Sequence, residues 1–206
     1  MDGLYGPWRS SRPILLASTS GTRRRLLAAA GLPVEAEDPG TDERALQESL
    51  GVTSPERIAC ALAEAKALSV SARNPDRFII GADQVLVCEG EMLTKAGGPE
   101  EARANLAKLQ GRTHVLHVGV AIARSGMIEA EFSESASLTM RPLDEAAIER
   151  YVDLAGPAAT RSVGAYEVEG LGIHLFSEIA GEHTTILGLP LVPLLAALRR
   201  LGVLEL

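Results

Sequence analysis

Ile14-Leu15-Leu16-Ala17-Ser18-Thr19-Ser20-Gly21-Thr22-Arg23-Arg24-Arg25-Leu26-Leu27 is the stretch from which the fold can be read. Four apolar residues make a short buried strand, and three hydroxyls with a glycine follow it. Helix-forming residues then run over 21–30, until Gly31 and Pro33 stop them. Backbone N–H groups at a helix start favour anions. Three arginines in the first turns oppose the helix dipole. The two features agree if a polyanion sits between them, with Arg side chains forking onto phosphate oxygens. A capped helix with a solvated basic face would use the same residues, and spacing alone leaves both open.

Working outward, residues 1–12 read as a loose polar arm and 13–206 as a single domain. Residues 35–54 look acidic and irregular. Ser54-Pro55 opens a long helix with Ile58, Leu62 and Ala65 on one face, Pro suiting a first helical position. Strand-like runs at 78–80 and 85–87 flank Gly81-Ala82-Asp83-Gln84, and Glu89-Gly90 marks a hairpin turn. A helix is predicted from Pro99 to the Gly111 stop. Strands follow over 113–123 and 127–140, joined by a turn at Ser125-Gly126. A helix over 143–155 closes at Gly156-Pro157, and a strand over 173–179 and a helix over 191–201 complete the chain. Strands alternate with helices early and then follow one another, which predicts an α/β fold with a mixed sheet flanked by helices.

Composition narrows the function. The net charge of −7 excludes a large nucleic-acid footprint, which needs a basic face. A small anionic ligand needs only a few local cations. Cys60 and Cys88 stand apart without metal spacing and read as small buried hydrophobes. The run 14–17 is too short for a signal-peptide core, and no stretch of ~18 apolar residues occurs. A cytoplasmic protein without membrane partners is expected. There is no Walker loop, and Gly170-Leu171-Gly172 lacks the third glycine of a dinucleotide fingerprint. His114 and His117, three apart on a strand, face opposite ways. A site of carboxylates, cations and hydroxyls remains.

Asp83 ends an apolar run, a costly place for a charge unless it binds a metal or takes a proton; a turn-capping Asp is the alternative. Gln84 suits a base edge or a strand end. Lys66, among alanines on the long helix, suits a snorkelling role. Lys95, before Gly97-Gly98-Pro99, can reach a phosphate at another helix start. Asp42-Glu43 belongs to the acidic stretch. In 161–172 the glycines imply close backbone approach, and Glu169 can accept hydrogen bonds from a guanine edge or sit in a plain polar loop.

Five motifs in register make the pattern specific. Leu16-Ala17-Ser18-Thr19-Ser20 with Arg23-Arg24 and Leu27 resembles the opening signature of the Maf family of nucleotide pyrophosphatases. The likeness continues in Gly81-Ala82-Asp83-Gln84, Leu109-Gln110-Gly111-Arg112-Thr113-His114, Gly164-Ala165-Tyr166 to Gly172, and Gly188-Leu189-Pro190-Leu191. The resemblance implies an elongated mixed α/β architecture shared in outline with inosine triphosphate pyrophosphatases, a homodimer, and a need for Mg²⁺ or Mn²⁺. It implies Asp83 as the catalytic acid. Ser18, Ser20, Arg23, Arg24, Lys66 and Lys95 become phosphate contacts, and Glu43 with Asp83 the metal carboxylates. The implied reaction cuts a nucleoside triphosphate to a monophosphate and pyrophosphate. Gln84 and Glu169 resemble the branch acting on 7-methyl-GTP, which carries Trp where this chain has Thr22. Gly21 replaces a usual Pro, and Thr94-Lys95-Ala96 replaces Gly-Lys-Pro. A weakly active nucleotide-binding regulator of cell division and an inosine-triphosphate-type enzyme are the competing readings.

Overall fold

The computed structural model describes residues 6–51 and 53–206. In chain order the elements begin β1 (Ile14–Ala17), α1 (Gly21–Ala29), β2 (Val34–Glu37), α2 (Glu43–Leu50), α3 (Pro55–Arg73), β3 (Ile79–Cys88), β4 (Glu91–Leu93) and α4 (Pro99–Leu109). They continue β5 (Thr113–Arg124), β6 (Met127–Met140), α5 (Glu145–Ala155), α6 (Ala158–Arg161), a 3₁₀ turn (Leu171–Leu175), β7 (Phe176–Ala180), α7 (His183–Ile186) and α8 (Leu191–Arg200). Strand order is β2-β1-β3-β5-β6-β7, with β4 paired to β3. β1 runs parallel to β2 and β3, whereas β3–β4 and β6–β7 are antiparallel. The sheet is therefore mixed, as the element order predicts.

Contacts divide the chain into two compact units, where the sequence reading has one domain over 13–206. The first takes the chain through Asp83, Val118–Glu134 and His183–Leu206; the second takes Gln84–His117 and Ser135–Glu182.

In the first unit the sheet is covered on both faces. Ile14 and Leu16 of β1 pack with Leu27, Ile80 and Leu194, while Leu15 and Ala17 pack with Ala63, Ala67 and Ile79. This is the period-two alternation of a doubly buried strand. Ser54 caps α3, its Oγ accepting from Arg57 N, and Pro55 opens the helix. Within the expected loose arm Trp8 is packed into the first unit, and 1–5 lie outside the described residues. Trp8 is fully buried, meets Phe78 edge-on at 6.1 Å, pairs with Leu204, and donates Nε1–H to the Arg12 carbonyl.

The acidic stretch 35–54 contributes to β2 and forms α2. Its acids are matched by distant arginines: Glu35 meets Arg77 at 2.6 Å and Glu37 meets Arg73 at 2.7 Å. Asp42 caps α2 by accepting from Ala45 N. Cys60 is a free, buried thiol, pushed up to about 12 by burial and then by Glu131.

In the second unit Glu89 and Gly90 take positive φ at the β3–β4 turn, as a tight hairpin requires. The strand expected over 173–179 is a 3₁₀ turn followed by β7. Cys88 is likewise free and buried. His117 shares a hydrogen bond with Ser135, whereas His114 is fully buried and shares one with the Tyr166 hydroxyl at 2.6 Å. The two imidazoles do not form a metal pair. No described helix is long and apolar enough to cross a membrane.

Burial holds His114 neutral, lowering its pKa from 6.5 to about 4. An unfolded chain takes this proton near 6.5, so the unfolded state binds more protons between the two values. Stability is therefore expected to fall as pH falls through this window, by about 3 kcal/mol in all, and to level off below it. Urea midpoints recorded against pH check this: His114→Gln should flatten the slope between pH 6.5 and about 4. An unchanged slope would assign the acid sensitivity to other groups.

Candidate functional site

Strand β1 ends at Ala17, and the chain turns sharply. Ser18 N donates to the Leu16 carbonyl at 2.9 Å, and Ser18 Oγ accepts from Ser20 N at 3.1 Å. Ser20 is then the N-cap of α1, its Oγ accepting from Arg23 N. The hydroxyls expected to touch phosphate thus shape the turn that presents the helix start. Thr22 is half-buried and its Oγ1 accepts from Arg25 Nη2 at 3.0 Å, while Arg24 is exposed.

Arg23 folds back into the unit. Its Nε donates to the Gly188 carbonyl and its Nη1 to the Ala82 carbonyl, both at 2.8 Å, and Nη1 also reaches Ser18 Oγ at 3.5 Å. Nη2 takes no protein partner among the described residues. Burial lowers the pKa of the guanidinium, and the charges of Asp83 and Glu43 oppose that shift. The group stays cationic, as arginine does in proteins. Two of the three nitrogens of Arg23, expected to contact phosphate, donate to backbone carbonyls.

Lys66 and Asp83 are brought together by close packing of α3 on β3. A Cβ on Gly81 would lie 2.1 Å from the Ala63 carbonyl oxygen, and one on Gly119 would lie 2.3 Å from the Ala59 carbonyl carbon. Glycine at both places lets the alanine face of α3 sit directly on the sheet. Lys66 is then buried rather than snorkelling, with Nζ donating to Asp83 Oδ1 at 2.5 Å and to Glu43 Oε1 at 2.7 Å. Asp83 is itself buried, and a buried charge of this kind requires such partners. It lies within β3, which continues through to Cys88, so the turn-capping alternative falls. Glu43 opens α2 and is exposed.

Gln84, Lys95 and Glu169 belong to the second unit. Gln84 is half-buried on β3. Lys95 is exposed and its backbone pairs with Val163. The nearby start of α4 already holds a carboxylate, because Glu101 Oε2 accepts from Gly97 N at 2.7 Å. Glu169 is exposed in a turn closed by Gly170 N donating to the Glu167 carbonyl.

Two features escape the sequence reading. The Gly188 and Ala82 carbonyls that hold Arg23 carry no side-chain signature, and Gly188-Leu189-Pro190-Leu191 gives only a hint of the first. Gly81 inside a strand was the available signal for the second, the seating of α3. Among the described residues no group of three or more His, Cys, Asp and Glu gathers to bind a metal. The pair Glu43 and Asp83, converging on one ammonium, supplies hard oxygen donors.

Residues 13–201 match the family model described as Maf-like protein. A protein of Nitrobacter winogradskyi called nucleoside triphosphate pyrophosphatase is 55% identical over 199 residues, covering 97% of this chain and 98% of its own. One of the same description from Caulobacter vibrioides is 46% identical over 197 residues, covering 95% and 98%. Among solved structures, the Ham1 protein of Staphylococcus aureus aligns at 17% identity with a TM-score of 0.41, over 63% of this chain and 72% of that one.

Proposed function

This chain belongs to the Maf-like protein family, and from that premise we propose that it is a nucleoside triphosphate pyrophosphatase, a hydrolase acting on acid anhydrides. One observation carries the reading: a buried lysine is held between two carboxylates, in the same unit as a capped helix start whose arginine is drawn inward.

The start of α1, where backbone N–H groups converge, suits the phosphate chain. Arg24 adds positive charge, and Lys66 can exchange a carboxylate partner for a phosphate oxygen. Asp83 accepts a proton from the water that attacks the α-phosphorus, and pyrophosphate leaves. Charge grows on phosphoryl oxygens during such a transfer, so positioned cations supply most of the catalysis.

Two carboxylates that converge on one point suit a hard divalent ion. Glu43 and Asp83 would hold Mg²⁺ or Mn²⁺, which when bound supplies Lewis-acid stabilisation of the phosphates. The resemblance extends the substrate contacts to Ser18, Ser20 and Lys95, and base choice to Thr22, Gln84 and Glu169. Gln84 and Glu169 favour a guanine, as in 7-methyl-GTP. Thr22 provides no aromatic face for a methylated, cationic base. The homodimer and the cytoplasmic location travel with the same reading, and sedimentation measures the first.

A panel of canonical and modified nucleoside triphosphates, assayed for pyrophosphate with Mg²⁺ and with Mn²⁺, tests the proposal. Metal-dependent release that stops on adding EDTA is expected, strongest on guanine substrates. Nucleotide binding with no release under either metal would replace the enzyme with a regulator.

A further inference from the structure

We propose that Arg23 is a positioning residue for Asp83, acting through the peptide that joins Ala82 to Asp83. The proposal rests on the reading of Asp83 as the proton acceptor, but its geometry is independent of that reading. β1 pairs with β3 at Leu15↔Ile79 and Leu16↔Ile80, and then turns away at Ser18. Ala82 lies two residues past the last of these pairs, so the strand that would have supplied a donor to its carbonyl has gone. Ala82 is fully buried, and an unmet carbonyl there is costly. Arg23 Nη1 provides the missing donor at 2.8 Å.

A second bond fixes the angle of the fork. Arg23 Nε donates to the Gly188 carbonyl at 2.8 Å, and Gly188 is itself held, its N–H donating to the Thr185 carbonyl. A planar guanidinium with two such bonds has little freedom left, whereas a lysine ammonium, with rotatable donors on a flexible stem, would not fix the angle. The Ala82 carbonyl and the Asp83 N–H share one rigid peptide plane. Fixing the oxygen therefore fixes the root of Asp83, and Lys66 fixes its carboxylate at the other end. Arg23 thus ties Ser18, Ala82 and Gly188, three segments remote in sequence, around the reacting carboxylate.

A phosphate contact and a positioning role separate in kinetics. Arg23→Lys and Arg23→Gln in the full chain are compared with the parent on the best substrate of the panel. Pyrophosphate affinity is measured by calorimetry, and the Asp83 backbone ¹H–¹⁵N resonance, assigned through Asp83→Asn, is compared between parent and variants at one pH. The expectation is a kcat lowered roughly tenfold or more, the scale of one hydrogen bond from a charged group. KM and pyrophosphate affinity should stay within about twofold, and the Asp83 amide resonance should move. Weakened pyrophosphate binding with kcat retained and an unmoved resonance would overturn the proposal and leave Arg23 as a phosphate ligand. The resonance is read without substrate. A parent that releases no pyrophosphate would remove the proposed function, and the resonance would still decide the role of Arg23. Should one variant fail to fold, as judged by its thermal melt, the other supplies the same readings.

Discussion

Asp83→Asn is expected to lower pyrophosphate release by roughly 10²–10⁴-fold while leaving the fold in place. The two side chains are nearly the same size, so the packing of α3 over β3 has no reason to change. What changes is basicity: an amide cannot take a proton from water. It also withdraws one of the two carboxylates around the buried Lys66 ammonium, leaving Glu43 as the charged partner at 2.7 Å. The amide oxygen can still accept from Nζ, which confines the stability loss to about 1–2 kcal/mol, near that of a weakened charged hydrogen bond. A coupled pyrophosphate assay beside a thermal melt separates the two effects. A variant that melts a few degrees low but turns over at the parent rate would remove Asp83 from the chemistry.

The part of the site built from local signals was legible in the sequence. The apolar run 14–17, the hydroxyls after it and the capped start of α1 are all local in sequence, and the structure places them as read. The turn at Ser125-Gly126, where both residues take positive φ, was announced by its own chemistry. What stayed hidden depends on distant partners. Residues 35–54 read as a solvated acidic loop because the arginines that pair with Glu35 and Glu37, Arg77 and Arg73, lie far along the chain. Trp8 read as part of a loose arm because its strand partner, Leu204, stands near the other terminus. The Lys66 ammonium read as snorkelling because nothing in an alanine-rich helix tells which face a glycine will meet.

The glycine that decides it is Gly81, and Gly81→Ala should be more damaging than its size suggests. The added methyl carbon would stand 2.1 Å from the Ala63 carbonyl oxygen and 2.8 Å from Ala67 N. Both atoms are backbone of α3, so no side-chain rotation relieves the clash and the helix itself must lift. It cannot pivot freely, because Gly119 seats the same helix against Ala59 and Cys60 one turn earlier. The expected cost is about 3 kcal/mol or more, at the upper end of overpacking in a close-packed core. A helix displaced by even ~1 Å also parts Lys66 from Asp83, because a charge-assisted hydrogen bond holds only near 2.7–2.9 Å. Stability and activity should therefore fall together. Gly98→Ala is the control: Gly98 has extended backbone (φ −175°) and no atom within 4 Å of an added Cβ, so little change is expected. If Gly81→Ala and Gly98→Ala melted alike and kept the parent rate, α3 would not be seated on β3 as described. The close approach of Lys66 to Asp83 would then need another cause.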